Sequence, residues 1–501
     1  MAPPLNLDNI QGDILSGLPK KGEIFFFFQI NKDFVKDFCT GIGELAHHVT
    51  SVTQCENDRQ KIIKEKERAA LHDTTPKLLE LSGINIAFSH KGLKTLGIRD
   101  PIHDEVFEKG MVADADGEDR EIPQPPQNRP PLYLNDDLSV WEPEFRDVEI
   151  HGVILITGSS HPKLKDTLAK VKRIFKVGQK DATITEVTQV EGHVRPGDVH
   201  GHEHFGFADG IAQPAVDGVP ALVHRGTDTI HQGVILLGRP GDEKENDRPS
   251  WALDGSFLAF RKLKQKVPEF QKFLDDKARD TGLSSDLLGA KLVGRWKNGA
   301  PVENFPLQPV KPEEIAIFKA AAKDSSQNDN FRYDQIVKQK NCPYAAHTRK
   351  TNPRDDIAFN TSAHQEHRII RRGIQYGPEV TDEESATSTS SPDSKLERGL
   401  LFVCYQSDIS KGFSFIQKLW ANNVGFPFDK KDAPPPQAGF DAIIGAALSN
   451  KPEPSRYMSG FDASDQAKRL SLTDDWVIAK GGEYFFSPSI SALQDTFAQA
   501  A

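Results

Sequence analysis

The stretch Ile24-Phe25-Phe26-Phe27-Phe28-Gln29-Ile30 decides how this chain is read. A short, nearly continuous apolar run of this length predicts a strand buried on both faces, because a half-exposed strand would alternate apolar and polar residues. Residues 34–49 follow with helical spacing. About 125 residues further on the order repeats: 148–157, Val-Glu-Ile-His-Gly-Val-Ile-Leu-Ile-Thr, predicts a strand. The helix predicted over 162–175 places Leu164, Leu168, Val171 and Phe175 three or four residues apart. Strand–helix pairs of this kind predict a sheet layered on helices.

The second half carries a comparable set. Residues 233–237 and 255–263 predict strands, 267–277 and 285–293 helices. Gly-Leu-Leu-Phe-Val-Cys-Tyr-Gln at 399–406 predicts a buried strand, with a helix over 413–420 after it. The recurrence points to two related α+β domains, on element order alone. Residues 120–134 are Pro-rich and read as a surface insertion. Residues 381–393 are acidic, rich in Ser and Thr, and read as a mobile loop.

A length of 501 residues fits two to four domains. Hydrophobic residues at 37% and charged residues at 27% belong to a globular chain. Thirty Phe against 7 Tyr and 5 Trp argue for deep cores, since Phe has no polar tip. Lys+Arg of 62 against Asp+Glu of 72, a net charge of −10, weighs against nucleic acid and anionic membrane as partners. No apolar run approaches a membrane span. The opening Met-Ala-Pro-Pro-Leu-Asn-Leu-Asp lacks a basic segment and an apolar core, so it reads as no signal peptide. Four scattered Cys leave no disulfide scaffold, zinc ribbon, iron–sulfur motif or Cys-x-x-Cys-His. Phosphate-loop, Gly-x-Ser-x-Gly, His-Glu-x-x-His and protein-kinase signatures are missing too.

Four segments could carry chemistry. His200-Gly201-His202-Glu203-His204 would present alternate imidazoles on one strand face to a metal, or is a polar loop. In Gly206-Phe207-Ala208-Asp209-Gly210, glycines allow close backbone approach and apolar neighbours desolvate one carboxylate; alone, the segment also reads as an Asp-Gly turn. His347 follows Ala345 and Ala346, which leave room for a planar ligand, and Arg349 and Arg354 could pair with its carboxylates; the alternative is a basic loop. Arg371 and Arg372 would point to opposite faces of a strand, and a buried one needs an anion or else both are solvated.

Taken together these segments resemble the dye-decolorizing peroxidase family, in particular its fungal branch. The resemblance extends through Asn9-Ile10-Gln11-Gly12-Asp13-Ile14-Leu15, Gly255-Ser256-Phe257-Leu258-Ala259-Phe260-Arg261-Lys262-Leu263 and Gly439-Phe440-Asp441-Ala442-Ile443-Ile444-Gly445, and so spans nearly the whole chain. It implies two ferredoxin-like α+β domains of the dimeric α+β barrel type, each an antiparallel sheet flanked by helices. Residues 1–215 would carry the Asp209 segment and 216–501 the haem. One haem b per chain is implied, with His347 as iron ligand and Asp441 as its hydrogen-bond partner. Asp209 would be the acid–base group toward hydrogen peroxide and Arg371 the charge stabiliser, which implies an acidic optimum. Leu400 and Phe402 match apolar residues above the haem; Arg349 and Arg354 suit its propionates.

Bulky dyes, phenols and lignin-like aromatics are implied as reducing substrates, oxidised at the surface through Tyr376 or Trp420. Trp420 also reads as an indole packed on the core. Manganese(II) is a further implied donor without a sequence-defined site. Monomer or homodimer and an extracellular location complete the expectations. Two further readings stand beside peroxidation: oxygen-dependent alkene cleavage at the same haem, and a haem-binding protein with little turnover. A non-haem metalloenzyme on His200, His202, Glu203 and His204 is the third rival. Only 3 Met in 501 residues suits a protein that meets peroxide.

Overall fold

The computed structural model describes residues 4–115, 133–219, 227–334, 338–357, 365–427, 438–447 and 456–500. Most of the Pro-rich 120–134 segment lies outside them. Nine strands form one antiparallel sheet: β1 (Gly22–Ile30), β2 (Ser82–Phe88), β3 (Gly152–Gly158), β4 (Ile184–His193), β5 (Ser256–Gln265), β6 (Ile370–Arg371), β7 (Ile374–Tyr376), β8 (Gly399–Gln406) and β9 (Val477–Ser487). Their order is β4-β1-β3-β2-β9-β5-β8-β6, with β7 also on β8. Each half therefore repeats one strand order, first-half β4-β1-β3-β2 matching second-half β9-β5-β8-β6/β7. This is the ferredoxin-like arrangement. Helices α1 (Val35–Ala46), α2 (Val52–Leu71) and α3 (His161–Ile174) cover the first half, and α4 (Val267–Thr281) and α5 (Ser285–Val293) the second.

The halves meet edge to edge at one registered pair, Phe88 with Phe486. At the opposite edges β4 lies against β7: a Cβ on Gly192 would meet the Gln375 carbonyl oxygen at 2.9 Å. The sheet thus curls toward a barrel, and Phe25 and Phe27 of the four-Phe run point into it. Phe25 and Phe27 lie 5.0 and 4.9 Å, ring to ring, from Phe260 of β5, while Phe28 turns the other way to Phe38 of α1 and Phe88. Both faces of β1 are buried, and the Phe excess is spread over the core between the half-sheets, the helix-covered face and a second cluster with Phe205, Phe270 and Phe273.

Three local expectations are corrected. Residues 233–237 are not a strand; the segment turns, and Gly233 packs so closely that a Cβ would meet the Asp242 nitrogen at 2.0 Å. Residues 413–420 wind as a short α-turn followed by a π-helix, Ile416–Ala421. The acidic 381–393 segment is no loose loop: it holds a helix, Asp382–Thr387, closed by a Thr381/Glu384 capping box. Glu384 then sinks into the fold in a two-pronged pair with Arg398, 2.9 and 2.6 Å.

Candidate active site

The second half-sheet builds a cavity floor by strand alternation. Arg261, Leu263 and Gln265 of β5 share one face with Leu400 and Phe402 of β8, in register Leu400–Leu263 and Phe402–Arg261. Above this face lies a cavity of about 290 Å³, walled mostly by apolar side chains and entered by Asp209, Arg371 and His347.

The Asp209 side is a loop set by backbone hydrogen bonds. The Glu203 carboxylate accepts the N–H groups of Phe205 and Phe207, each at 2.8 Å, and the Gln265 amide at 2.5 Å. Gly206 and Gly210 take φ of 95° and 80°, which lets the chain double back on either side of Asp209. The Asp209 N–H donates to Gly201 O at 3.0 Å. Arg371 Nη1 donates to Asp209 Oδ1 at 2.6 Å and Nη2 to Ile211 O at 3.1 Å, while Gln213 brackets the Arg371 backbone on both sides. Burial would raise the Asp209 carboxyl. The Arg371 charge and hydrogen bond, the Gly210 N–H and the His347 charge outweigh it and hold the carboxyl below its ordinary value. Arg372, next along the strand, turns away and donates to the carbonyls of Asp13 and Leu15.

Opposite, His347 begins a five-residue helix, His347–Thr351. Its Nδ1 is 2.9 Å from Oδ2 of Asp441, which is fully buried. The other Asp441 oxygen accepts the Ile443 and Ile444 N–H groups at 2.9 Å each, and the Ala442 N–H donates to Ala345 O at 3.1 Å. The loop that carries Asp441 is thereby fixed to the segment that carries His347. Burial pushes the imidazole down, but the Asp441 charge and hydrogen bond prevail and raise it. With Nδ1 engaged, Nε2 is the ring nitrogen left free to ligate.

The donor set tests whether a haem suits this site. Two imidazoles line a largely apolar cavity, His347 backed by Asp441 and His367 stacked on Phe415, and among the described residues no group of three or more His, Cys, Asp or Glu could hold a bare metal ion. A macrocycle that brings its own four nitrogens needs one protein ligand and apolar walls, which is what these residues offer. The fit is good.

Several predicted residues stand elsewhere. Arg349 does not reach the cavity. It is 1% exposed, pairs with Asp356 at 2.6 and 2.9 Å, donates to Lys338 O and Cys342 O, and lies 4.2 and 4.3 Å over the Tyr333 and Tyr344 rings. Its cation serves the scaffold, so Arg349→Met is expected to cost about 3–5 kcal/mol of stability, as for other broken buried pairs, in a denaturant titration. The folded fraction should keep its full haem content; a matching loss of haem would restore the propionate role. Arg354 does line the cavity, tied to Asp329 Oδ1 at 2.5 Å and to Phe331 O at 3.2 Å.

Tyr376 is not a surface residue. It is 6% exposed and donates to Glu397 at 3.0 Å. Trp420, 3% exposed, stacks on Phe426 at 5.1 Å and meets Phe415 and His367 edge-on, as a core indole. The His200–His204 cluster diverges: His204 Nε2 donates to Tyr376 O, His202 stays near His200 O, and Glu203 organises the Asp209 loop. Sequence reading missed Arg295 and Arg368, which also line the cavity. Burial brings each down to about 10, and Arg368 donates to Ala212 O at 2.9 Å beside Asp209's loop. Their only sequence signal was charge amid apolar neighbours.

An imidazole backed by a buried carboxylate, with an arginine–aspartate pair in the same apolar cavity, on a duplicated ferredoxin-like sheet, defines a haem-peroxidase class of site. Residues 9–196 match the family described as "DyP dimeric alpha+beta barrel domain", and residues 205–430 match "Dyp-type peroxidase, C-terminal". Dye-decolorizing peroxidase msp1 of Mycetinis scorodonius is 40% identical over 98% of this chain and 87% of its own length. An ancestral D-type dye decolorizing peroxidase superposes with a TM-score of 0.86 at 47% identity, covering 99% of this chain and 100% of that one. A dye-decolorizing peroxidase complex with 2,6-dimethoxyphenol superposes at 0.79 with 38% identity, covering 99% and 100%. The chain belongs to the dye-decolorizing peroxidase family, on its fungal branch, and is a haem peroxidase.

Proposed function

We propose that this chain reduces hydrogen peroxide at one haem b per chain, held by His347, and oxidises bulky aromatic donors such as dyes and phenols. The observation that carries the reading is that His347, backed by buried Asp441, and the Asp209–Arg371 pair enter one cavity. When bound, the haem supplies the electrons that cleave the peroxide O–O bond and takes them back singly from donors. Asp441 holds the His347 ring in the tautomer with Nε2 free and makes it a more basic ligand. Asp209 Oδ takes a proton from one peroxide oxygen and returns it to the other. Arg371 keeps Asp209 ionised and offers positive charge to the separating oxygens. Leu400, Phe402 and Ile443 exclude water and strengthen these charges. Arg354 is the proposed propionate partner in place of Arg349.

The phenol-bound relative supports the choice of aromatic donors. Bulky dyes and lignin-like aromatics would not share the cavity with a haem, so from these donors electrons would arrive through protein. Tyr376 and Trp420 then act as buried relay positions rather than surface contacts. We divide the chain at 1–215 and 216–501; the parallel pair Ala215–Val216 with Thr229–Ile230 lies across that boundary. Export and a monomeric or dimeric state follow the family resemblance. No helix among the described residues is long and apolar enough to cross a membrane.

Arg371→Gln tests the pairing. Without the cation, burial is opposed only by the Gly210 N–H and the His347 charge, and the Asp209 carboxyl rises. The carboxylate that persists below the usual range in the parent is then lost at higher pH. The acid limb of the rate of reaction with peroxide is expected to move upward in pH, read by stopped-flow absorbance between acidic and neutral buffers. An acid limb that does not move would remove Arg371 from this role.

A further inference from the structure

Three phenols among the described residues donate to carboxylates: Tyr376 to Glu397, Tyr405 to Asp13 and Tyr484 to Asp114. Only the last is seen against a ring of the cavity wall. Tyr484, on β9, is fully buried; its ring centroid lies 6.2 Å from that of Phe413, and Phe413 lies 5.8 Å from Phe402. Phe402 and Phe413 both line the cavity. The Tyr484 hydroxyl donates to Asp114 Oδ2 at 2.7 Å; the same carboxylate accepts Ser414 Oγ at 3.2 Å and pairs through Oδ1 with Lys418 of the π-helix. A packing tyrosine needs one acceptor of any kind. This one has a charged acceptor held from three sides, one ring away from an oxidising centre.

We propose that Tyr484 is an internal one-electron donor to the peroxide-oxidised centre, with Asp114 taking and returning its phenolic proton. The electron leaves the phenol toward the cavity past Phe413. The O–H bond breaks, and the proton crosses the existing hydrogen bond to Asp114 Oδ2, leaving a neutral tyrosyl radical beside a protonated carboxyl. Hydrogen peroxide is the oxidant, through the peroxidase activity. An electron from an aromatic donor reverses both transfers. No proton has to leave the core in either direction, and Lys418 and Ser414 keep Asp114 in place throughout. Burial and the neighbouring carboxylate push the phenol well above its ordinary pKa, so it gives up its proton only along with the electron. The inference rests on the peroxidase reading.

The test is electron paramagnetic resonance of haem-loaded protein, frozen after one equivalent of hydrogen peroxide without donor. An organic radical that narrows when the protein carries ring-deuterated tyrosine is expected. Its formation should slow in heavy water, because a proton moves with the electron. Y484F should lose the signal while the optical change caused by peroxide proceeds as before. D114N keeps the phenol but removes the proton acceptor, and should lose the signal too. A radical indifferent to tyrosine deuteration, or of full intensity in Y484F or in D114N, overturns the proposal. Failure of the peroxidase reading looks different: the parent protein would show no optical change with peroxide.

Discussion

Asp209→Asn is expected to slow the reaction with hydrogen peroxide by about 10²–10⁴-fold, the usual contribution of a positioned acid–base group, while leaving the haem spectrum of the resting protein in place. Asn matches Asp in size and can still accept the Arg371 hydrogen bond, so the loop has no steric reason to move. What it loses is the capacity to take up a proton. Peroxide carries one proton on each oxygen, and cleavage requires both on the departing one; some group has to carry the proton across. Asp209 is the carboxylate in the cavity paired with Arg371, and its low pKa keeps it in the accepting form. The measurement is a stopped-flow second-order rate constant at several pH values. The variant should also lose the acid limb of the profile. A rate equal to the parent's would leave a haem-binding protein whose chemistry does not use this aspartate.

His347→Ala is expected to reduce bound haem to background. Of the two cavity histidines, His347 has Asp441 behind its Nδ1, whereas His367 is stacked on Phe415 at 3.7 Å with its Nδ1 on Lys411 O. The apolar walls and cationic rim would still attract a porphyrin weakly, but without the axial bond. The substitution also takes from buried Asp441 the imidazole hydrogen bond that faces it, leaving two backbone N–H donors. A ring-sized space remains where the imidazole stood, so imidazole added from solution should restore haem binding in part. Haem per chain, before and after added imidazole, reads both effects. Undiminished haem in the variant would assign the iron ligand to another residue.

What the sequence disclosed follows physical locality. β1 and β8 were legible because a strand buried on both faces writes its state in consecutive residues. Asp209, His347 and Arg371 were legible because each sits in a short segment whose small residues and glycines are needed there. β2, Ser-Gly-Ile-Asn-Ile-Ala-Phe, and β9, which holds Lys480, Gly481 and Gly482, were not read as strands. Their glycines and polar residues are accommodated by close neighbours: a Cβ on Gly482 would meet Phe260 O at 2.5 Å. Arg349 was misassigned because local sequence cannot say which anion a cation meets; Asp356 reaches it through the fold. Acidic composition likewise hid the capping box of Thr381 and Glu384, since the buried partner Arg398 lies 14 residues on. For Tyr376 and Trp420, surface position depends on what packs over them, which adjacency in the chain does not encode.

The central claim is that one cavity places a haem iron between His347 and the Asp209–Arg371 pair. Titrating the purified chain with haem, followed by absorbance, tests it most directly. The expected result is a Soret band that saturates at one haem per chain and shifts promptly when hydrogen peroxide is added. No Soret band, or a band that hydrogen peroxide leaves unchanged, would contradict it.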